Sequence, residues 1–233
     1  TSPSGDIYGS QGIAAADIDG DGDLDYIEAV FGSAANRVFI NNGSGTFSNS
    51  GQALGADSSS CITPADFDRD GDLDFFEGTG DLVSNKVWLN DGAGNYSDSG
   101  LSIETVEAID AYAGDLDNDG DTDIAYSVYG AGNRVALNNG DVSFTDAGMA
   151  MNPSNSRGIA AGDFDADGFT DLYFPDLSAG GDYVWLNDGD GTFTNSEILG
   201  SVVASWPFAA DFDGDGDTDV AVAVKGGTYR NKL

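Results

Sequence analysis

An all-β fold of four-stranded blades, a β-propeller, is what this sequence predicts, and three observations predict it. An aspartate-rich nonapeptide recurs five times, at residues 17–25, 66–74, 115–123, 163–171 and 211–219, with its first aspartates 48 or 49 residues apart. A turn motif begins 18–19 residues after the first aspartate of each of the first four copies, at 36–47, 85–96, 133–144 and 182–193. No segment carries the 3.6-residue apolar period of a helix. A unit of 48–49 residues with room for four short strands has the size of a propeller blade.

Each element of the unit has its own justification. Strand A, residues 12–16 in the first repeat, runs into the aspartate loop. The residue before the loop is always small (Ala16, Ala65, Gly114, Gly162, Ala210), as innermost strands crowded round an axis require. The second loop residue is always apolar (Ile18, Phe67, Leu116, Phe164, Phe212), which predicts a loop folded back onto its blade. Strand B covers 26–31 and strand C 37–40. Asn-Gly or Asp-Gly then supplies the positive φ of a tight turn, and strand D runs from 46 to about 54. Residues 231–233 align with 36–38, and residues 1–9 align with the later part of a strand D. The expectation is one domain over 1–233, a five-bladed ring closed by its N-terminal strand, with a piece of a longer array as the alternative.

Composition removes several classes. Of the 233 residues, 41 are acidic and 8 basic, for a formal charge of −33. That excludes nucleic-acid binding through a basic face and docking on anionic lipid. No apolar run is long enough for a membrane-inserted helix. With 40% hydrophobic residues the chain can still bury a core. Cys61 stands alone, so there is no disulfide framework, and the absence of His removes histidine triads and zinc sites.

The loops predict calcium. Their carboxylates are Asp17, Asp19, Asp21, Asp23 and Asp25; Asp66, Asp68, Asp70, Asp72 and Asp74; Asp115, Asp117, Asp119, Asp121 and Asp123; Asp163, Asp165, Asp167 and Asp171; and Asp211, Asp213, Asp215, Asp217 and Asp219. Calcium takes six to eight oxygens, and alternate carboxylates around a glycine bend supply them. Phe169 at the seventh position of the fourth loop fits a backbone carbonyl ligand there. About five structural Ca2+ ions are expected. Residues 17–28 and 66–77 also match an EF-hand pattern, but their flanks are β-rich, which leaves Glu28 and Glu77 on strand B.

These residues resemble the FG-GAP/VCBS repeat family, which includes integrin α-subunit propellers and fungal and bacterial lectins. The resemblance lies in the five Asp-x-Asp-x-Asp-Gly-x-x-Asp loops, the Val-Trp-Leu-Asn-Asp-Gly turns at 87–92 and 184–189, and Phe31-Gly32. It covers essentially the whole chain, although members usually have seven blades. It implies structural calcium in the A–B loops and ligand contacts on the opposite face, from the B–C and D–A loops. There Tyr8, Gln11, Tyr129, Asn155, Arg157, Trp206 and Tyr229 are the candidates, since aromatic faces, amides and hydroxyls hold sugars. Trp88 and Trp185, on strand C, are assigned to packing. The expected function is a secreted or cell-surface carbohydrate-binding module. A protein-interaction module of a larger extracellular protein is the alternative. No catalytic residue is assigned, and a polysaccharide-active enzyme is the least favoured reading.

Overall fold

A computed structural model describes residues 9–32, 34–80, 82–149, 151–152, 155–177, 181–199 and 203–224. Among them every regular element is a strand, and all pairing is antiparallel. The chain divides into two compact units, Thr1–Glu107 and Ala108–Leu233.

The first unit holds two four-stranded sheets, each in chain order. One is β1 (Ser10–Ala16), β2 (Asp25–Val30), β3 (Arg37–Asn41) and β4 (Phe47–Asn49). The other is β5 (Ser59–Ala65), β6 (Asp74–Thr79), β7 (Lys86–Asn90) and β8 (Tyr96–Asp98). Their shared core contains Ile18, Ile27, Val38, Leu54, Ile62, Phe75 and Trp88. Glu77 is fully buried, yet it accepts from the Asn36 amide, the Ser59 hydroxyl and the Trp88 indole. Three donors offset the cost of burying one carboxylate.

The second unit repeats the plan. Its first sheet is β9 (Ala108–Gly114), β10 (Asp123–Val128), β11 (Arg134–Asn138) and β12 (Phe144–Asp146). Its second is β13 (Ala160–Gly162), β14 (Asp171–Phe174), β15 (Asp182–Asn187) and β16 (Phe193–Leu199). β17 (Ala204–Ala210) and β18 (Asp219–Val224) form a two-stranded sheet. Leu116, Ala125, Val135, Met151, Leu172 and Phe174 make one core, and Ala160, Tyr173, Val184 and Val220 another. Four repeats thus have the expected four strands, with Glu28 on β2 and Glu77 on β6. Residues 1–8 and 225–233, on which ring closure rests, lie outside the described residues.

Two local features depart from the expected strands. Strand D stops after three residues in the first three repeats, because Gly51, Gly100 and Gly148 take φ of 85°, 79° and 74°. Chain pairing resumes as single bridges, Asn36 with Leu54, Asn85 with Ile103 and Asn133 with Met151. The fourth repeat has Glu197 at that place, and β16 runs on for seven residues. In addition, β1, β5, β9 and β17 each carry a bulge near the start, at Gln11, Ser60, Ile109 and Trp206. Bulges re-aim side chains at the rim of a sheet.

Candidate functional site

The five loops share one hydrogen-bond scheme. The ninth-position carboxylate staples the loop to its sheet with both oxygens. One oxygen of Asp25, Asp74, Asp123, Asp171 and Asp219 accepts from the N–H of Ile18, Phe67, Leu116, Phe164 and Phe212, at 2.7–3.0 Å. In the first four repeats the other oxygen accepts from Asn41, Asn90, Asn138 and Asn187 N–H on strand C, at 2.7–2.8 Å. The first-position carboxylate accepts the sixth-position glycine N–H in every loop, at 3.0–3.1 Å. The third carboxylate caps the fifth N–H, and the fifth caps the seventh. These Asx turns fold each loop into a tight ring.

The scheme brings carboxylates together. In loops 1, 3 and 5, positions one, three and nine converge: Asp17, Asp19 and Asp25; Asp115, Asp117 and Asp123; Asp211, Asp213 and Asp219. In loops 2 and 4, positions one, three and five do so: Asp66, Asp68 and Asp70; Asp163, Asp165 and Asp167. Within each group one oxygen per residue lies within 4.8 Å of the others. Burial and neighbouring carboxylates push Asp19, Asp68 and Asp117 above the ordinary carboxylate range, while in Asp213 the Asp215 charge is the main cause. Burial, helped by the carboxylates of Asp68 and Asp70 or of Asp117 and Asp119, pushes Asp74 and Asp123 up to about 6, against the pull of their two backbone donors. Asp17 Oδ1 is buried with no hydrogen-bond partner. An all-oxygen donor set, mutual repulsion and an orphaned carboxylate oxygen are the conditions a hard divalent cation relieves.

The seventh position plays another part. The carboxylates of Asp23 and Asp121 lie against the turn glycines Gly43 and Gly140, so close that a Cβ there would come within 2.5 and 2.7 Å of an Asp oxygen. Asp72 lies against Gly92 in the same way. Phe169 lays its ring on Gly189 instead, 2.6 Å from where a Cβ would sit. These side chains fill the space over the C–D turn of their own repeat, and none is in a converging group.

The apolar second position is buried in Ile18, Phe67 and Leu116. Phe212 differs, being 55% exposed beside Phe208, with ring centroids 6.3 Å apart. Sequence reasoning assigned no role to Asn41, Asn90, Asn138 and Asn187, which precede the turn pairs. Asn90 and Asn187 also reach the preceding repeat: their Nδ2 atoms donate to Ile18 O and Leu116 O, both at 2.9 Å. The invariance of Asn41, Asn90, Asn138 and Asn187 across the repeats was the signal.

Of the candidate ligand residues, Tyr8 and Tyr229 lie outside the described residues. Gln11 is exposed at the bulge of β1 in the first unit. The other four gather in the second unit. Tyr129 bridges Asn155, and the Arg157 guanidinium sits 5.4 Å from the Tyr129 ring centroid. Gly158 follows Arg157, and a Cβ on it would lie 3.2 Å from Trp206 N. Tyr129 is 43% and Trp206 57% exposed. Trp88 is buried, and Trp185 Nε1 donates to Asn152 O, as packing residues do.

Comparison with known proteins places this geometry. An Agrocybe aegerita lectin, whose structure shows recognition of non-reducing terminal N-acetylglucosamine, is 26% identical, with a TM-score of 0.60 over 89% of this chain and 59% of its own. The V. cholerae biofilm matrix protein Bap1 shares the fold at 16% identity, with a TM-score of 0.54 over 90% of this chain and 34% of its own. BBS1N, solved in complex with ARL6DN, does so at 12% identity, with a TM-score of 0.59 over 93% of this chain and 62% of its own. The chain therefore covers less than two thirds of each of these structures. A search of curated proteins gives no significant match. The FG-GAP-like repeat profile matches residues 17–77, 115–174 and 175–222. With loops, turns and sheets all following that repeat, the chain belongs to the FG-GAP-like repeat family.

Proposed function

We propose that this protein is an extracellular, calcium-stabilised propeller module that binds carbohydrate. The observation that carries the reading is the trio of exposed side chains Tyr129, Arg157 and Trp206, with the half-buried Asn155 bridged to Tyr129, in a chain with a lectin among its relatives. An aromatic face, an amide and a guanidinium are the side chains that orient a sugar ring. Calcium would be held by the first, third, fifth and ninth aspartates and by the backbone carbonyl of the seventh residue. Its chemistry is structural: it neutralises the converging carboxylates and locks the loop. Five loops, five ions and ring closure are part of the proposal. Extracellular calcium is abundant enough to keep such sites filled.

A glycan array probed in millimolar calcium, and again with chelator, tests the reading. Binding to one glycan class that disappears on chelation is the expected result. A blank array from folded, calcium-loaded protein would move the assignment to a protein-interaction module.

A further inference from the structure

We propose that Asn42 is a self-modifying site. Its side-chain amide closes on the Gly43 nitrogen, sheds ammonia and leaves an aspartate or isoaspartate in the C–D turn of the first repeat. Asn139, in the third repeat, carries the same Asn-Gly pair and resists the reaction.

The two turns are closely matched. Asn42-Gly43 and Asn139-Gly140 are the two Asn-Gly pairs of the chain, and both asparagines are exposed. Both glycines take positive φ, 73° and 84°. Each lies against a seventh-position carboxylate, Asp23 or Asp121. Each asparagine N–H closes its turn on the carbonyl four residues on, Thr46 O or Ser143 O.

The turns differ in how the reacting atoms are engaged. Gly140 N donates to Asn138 Oδ1 at 3.2 Å, and Gly92 and Gly189 do the same with Asn90 and Asn187. In the first repeat Asn41 Oδ1 accepts from Gly45 N instead, at 3.1 Å. Gly43 N–H has no hydrogen-bond partner among the described residues. The side chains are reversed as well. Asn42 Oδ1 accepts from Ser44 N, Ser44 Oγ and Thr46 N at 3.1, 2.7 and 3.3 Å, while its Nδ2 has no partner among the described residues. Asn139 Nδ2 donates to Ser143 O, Ser143 Oγ and Thr145 Oγ1 at 2.7, 3.1 and 3.2 Å. Its Oδ1 accepts from Thr145 Oγ1 at 3.4 Å.

Each difference favours reaction at Asn42. Three donors on one carbonyl oxygen polarise its carbon and stabilise the oxyanion that forms when a nucleophile adds. An unengaged N–H gives up its proton without breaking a hydrogen bond first. Gly43 has no side chain to obstruct the approach, and attacker and target are neighbours in the chain. The Gly43 nitrogen bonds to Asn42 Cγ as its proton passes to solvent hydroxide. The Cγ–Nδ2 bond then breaks, and Nδ2 takes a proton from water and leaves as ammonia. A second water opens the five-membered imide at either carbonyl, giving aspartate or isoaspartate. The aspartyl product suits the fold, since Asp91-Gly92 and Asp188-Gly189 hold the same place in the second and fourth repeats. One amide becomes one carboxylate, so the formal charge moves from −33 to −34.

The test is incubation of the calcium-loaded full chain at mildly alkaline pH, followed by tryptic digestion and mass spectrometry. The two pairs fall on separate tryptic peptides, 38–69 and 135–157. Asn42 should convert about tenfold faster than Asn139, or more. In urea, where the turn hydrogen bonds are lost, the two rates should converge to within about twofold. Ser44→Ala removes the shortest of the three donors and should slow Asn42 while leaving Asn139 unchanged. Equal rates in the folded chain, faster conversion at Asn139, a difference that persists in urea, or a rate at Asn42 indifferent to Ser44→Ala would overturn the proposal.

Discussion

At the scale of single residues, the ninth aspartates govern how the loops respond to pH. Burial raises Asp74 and Asp123 from 3.8 to about 6. A folded-state value above the unfolded one means that folding takes up protons between those limits. In chelator, the stability these groups contribute is therefore present below about pH 4 and lost as pH rises through 6. Calcium binds the ionised form, so the loaded protein should gain stability over the same window. Thermal melts across pH 4–8, with and without calcium, should show slopes of opposite sign; parallel slopes would reject the metal assignment. The seventh position makes a different forecast. Phe169→Ala should leave affinity for calcium within about twofold, since the ring covers Gly189 and no converging group includes it. Asp165→Ala should abolish that one site. Gly189→Ala, at φ +82° and 2.6 Å from the ring, should cost about 1–2 kcal/mol in denaturant melts.

At the scale of elements, the strand-C asparagines Asn90 and Asn187 each carry three jobs. Asn187 is buried; its N–H meets Asp171, and its side chain donates to Leu116 O and Thr170 O. Asn187→Ala would orphan Leu116 O between two sheets, at a cost of about 1–3 kcal/mol. Asn187→Asp would put a carboxylate beside two carbonyls and should cost at least as much. Either change should lower the urea midpoint, and a neutral outcome for both would show that the bridge is dispensable. The elements also show what the sequence displayed and what it hid. The C–D turns were legible because Asn-Gly and Asp-Gly permit few other conformations. The early end of strand D was not, since Gly51 and Gly100 look like tolerated strand glycines until the positive φ is seen. The bulges at Gln11 and Trp206 left no mark in the residue pattern at all, because they depend on how facing strands register.

At the scale of the whole molecule, charge dominates. The five loops concentrate like charges, so chelation should lower Tm by well over about 10 °C. Five divalent ions carry ten positive charges and would bring −33 to −23. Raising sodium chloride at fixed chelator should recover part of the lost Tm by screening, and should help the calcium-loaded form much less. The repeat made the architecture readable before any coordinate: Asp17, Asp66, Asp115, Asp163 and Asp211 recur in register, and each opens a loop with the same hydrogen bonds. The gathering of Tyr129, Asn155 and Arg157 was only half legible. Their residue types suited a sugar, but 26 residues separate Tyr129 from Asn155, and only the pairing of adjacent repeats brings them together.

The reach of Asn90 to Ile18 O has a consequence for how the protein would meet a changing environment. Ile18 lies between Asp17 and Asp19, while the backbone of Asn90 rests on Asp74 of the next loop. Leu116, Asn187 and Asp171 repeat the linkage in the second unit. Ordering one loop thus presets its neighbour, and the ions of a linked pair would enter and leave together. Occupancy would follow a threshold in calcium rather than a slope. Below that threshold linked repeats would loosen jointly, as a single event.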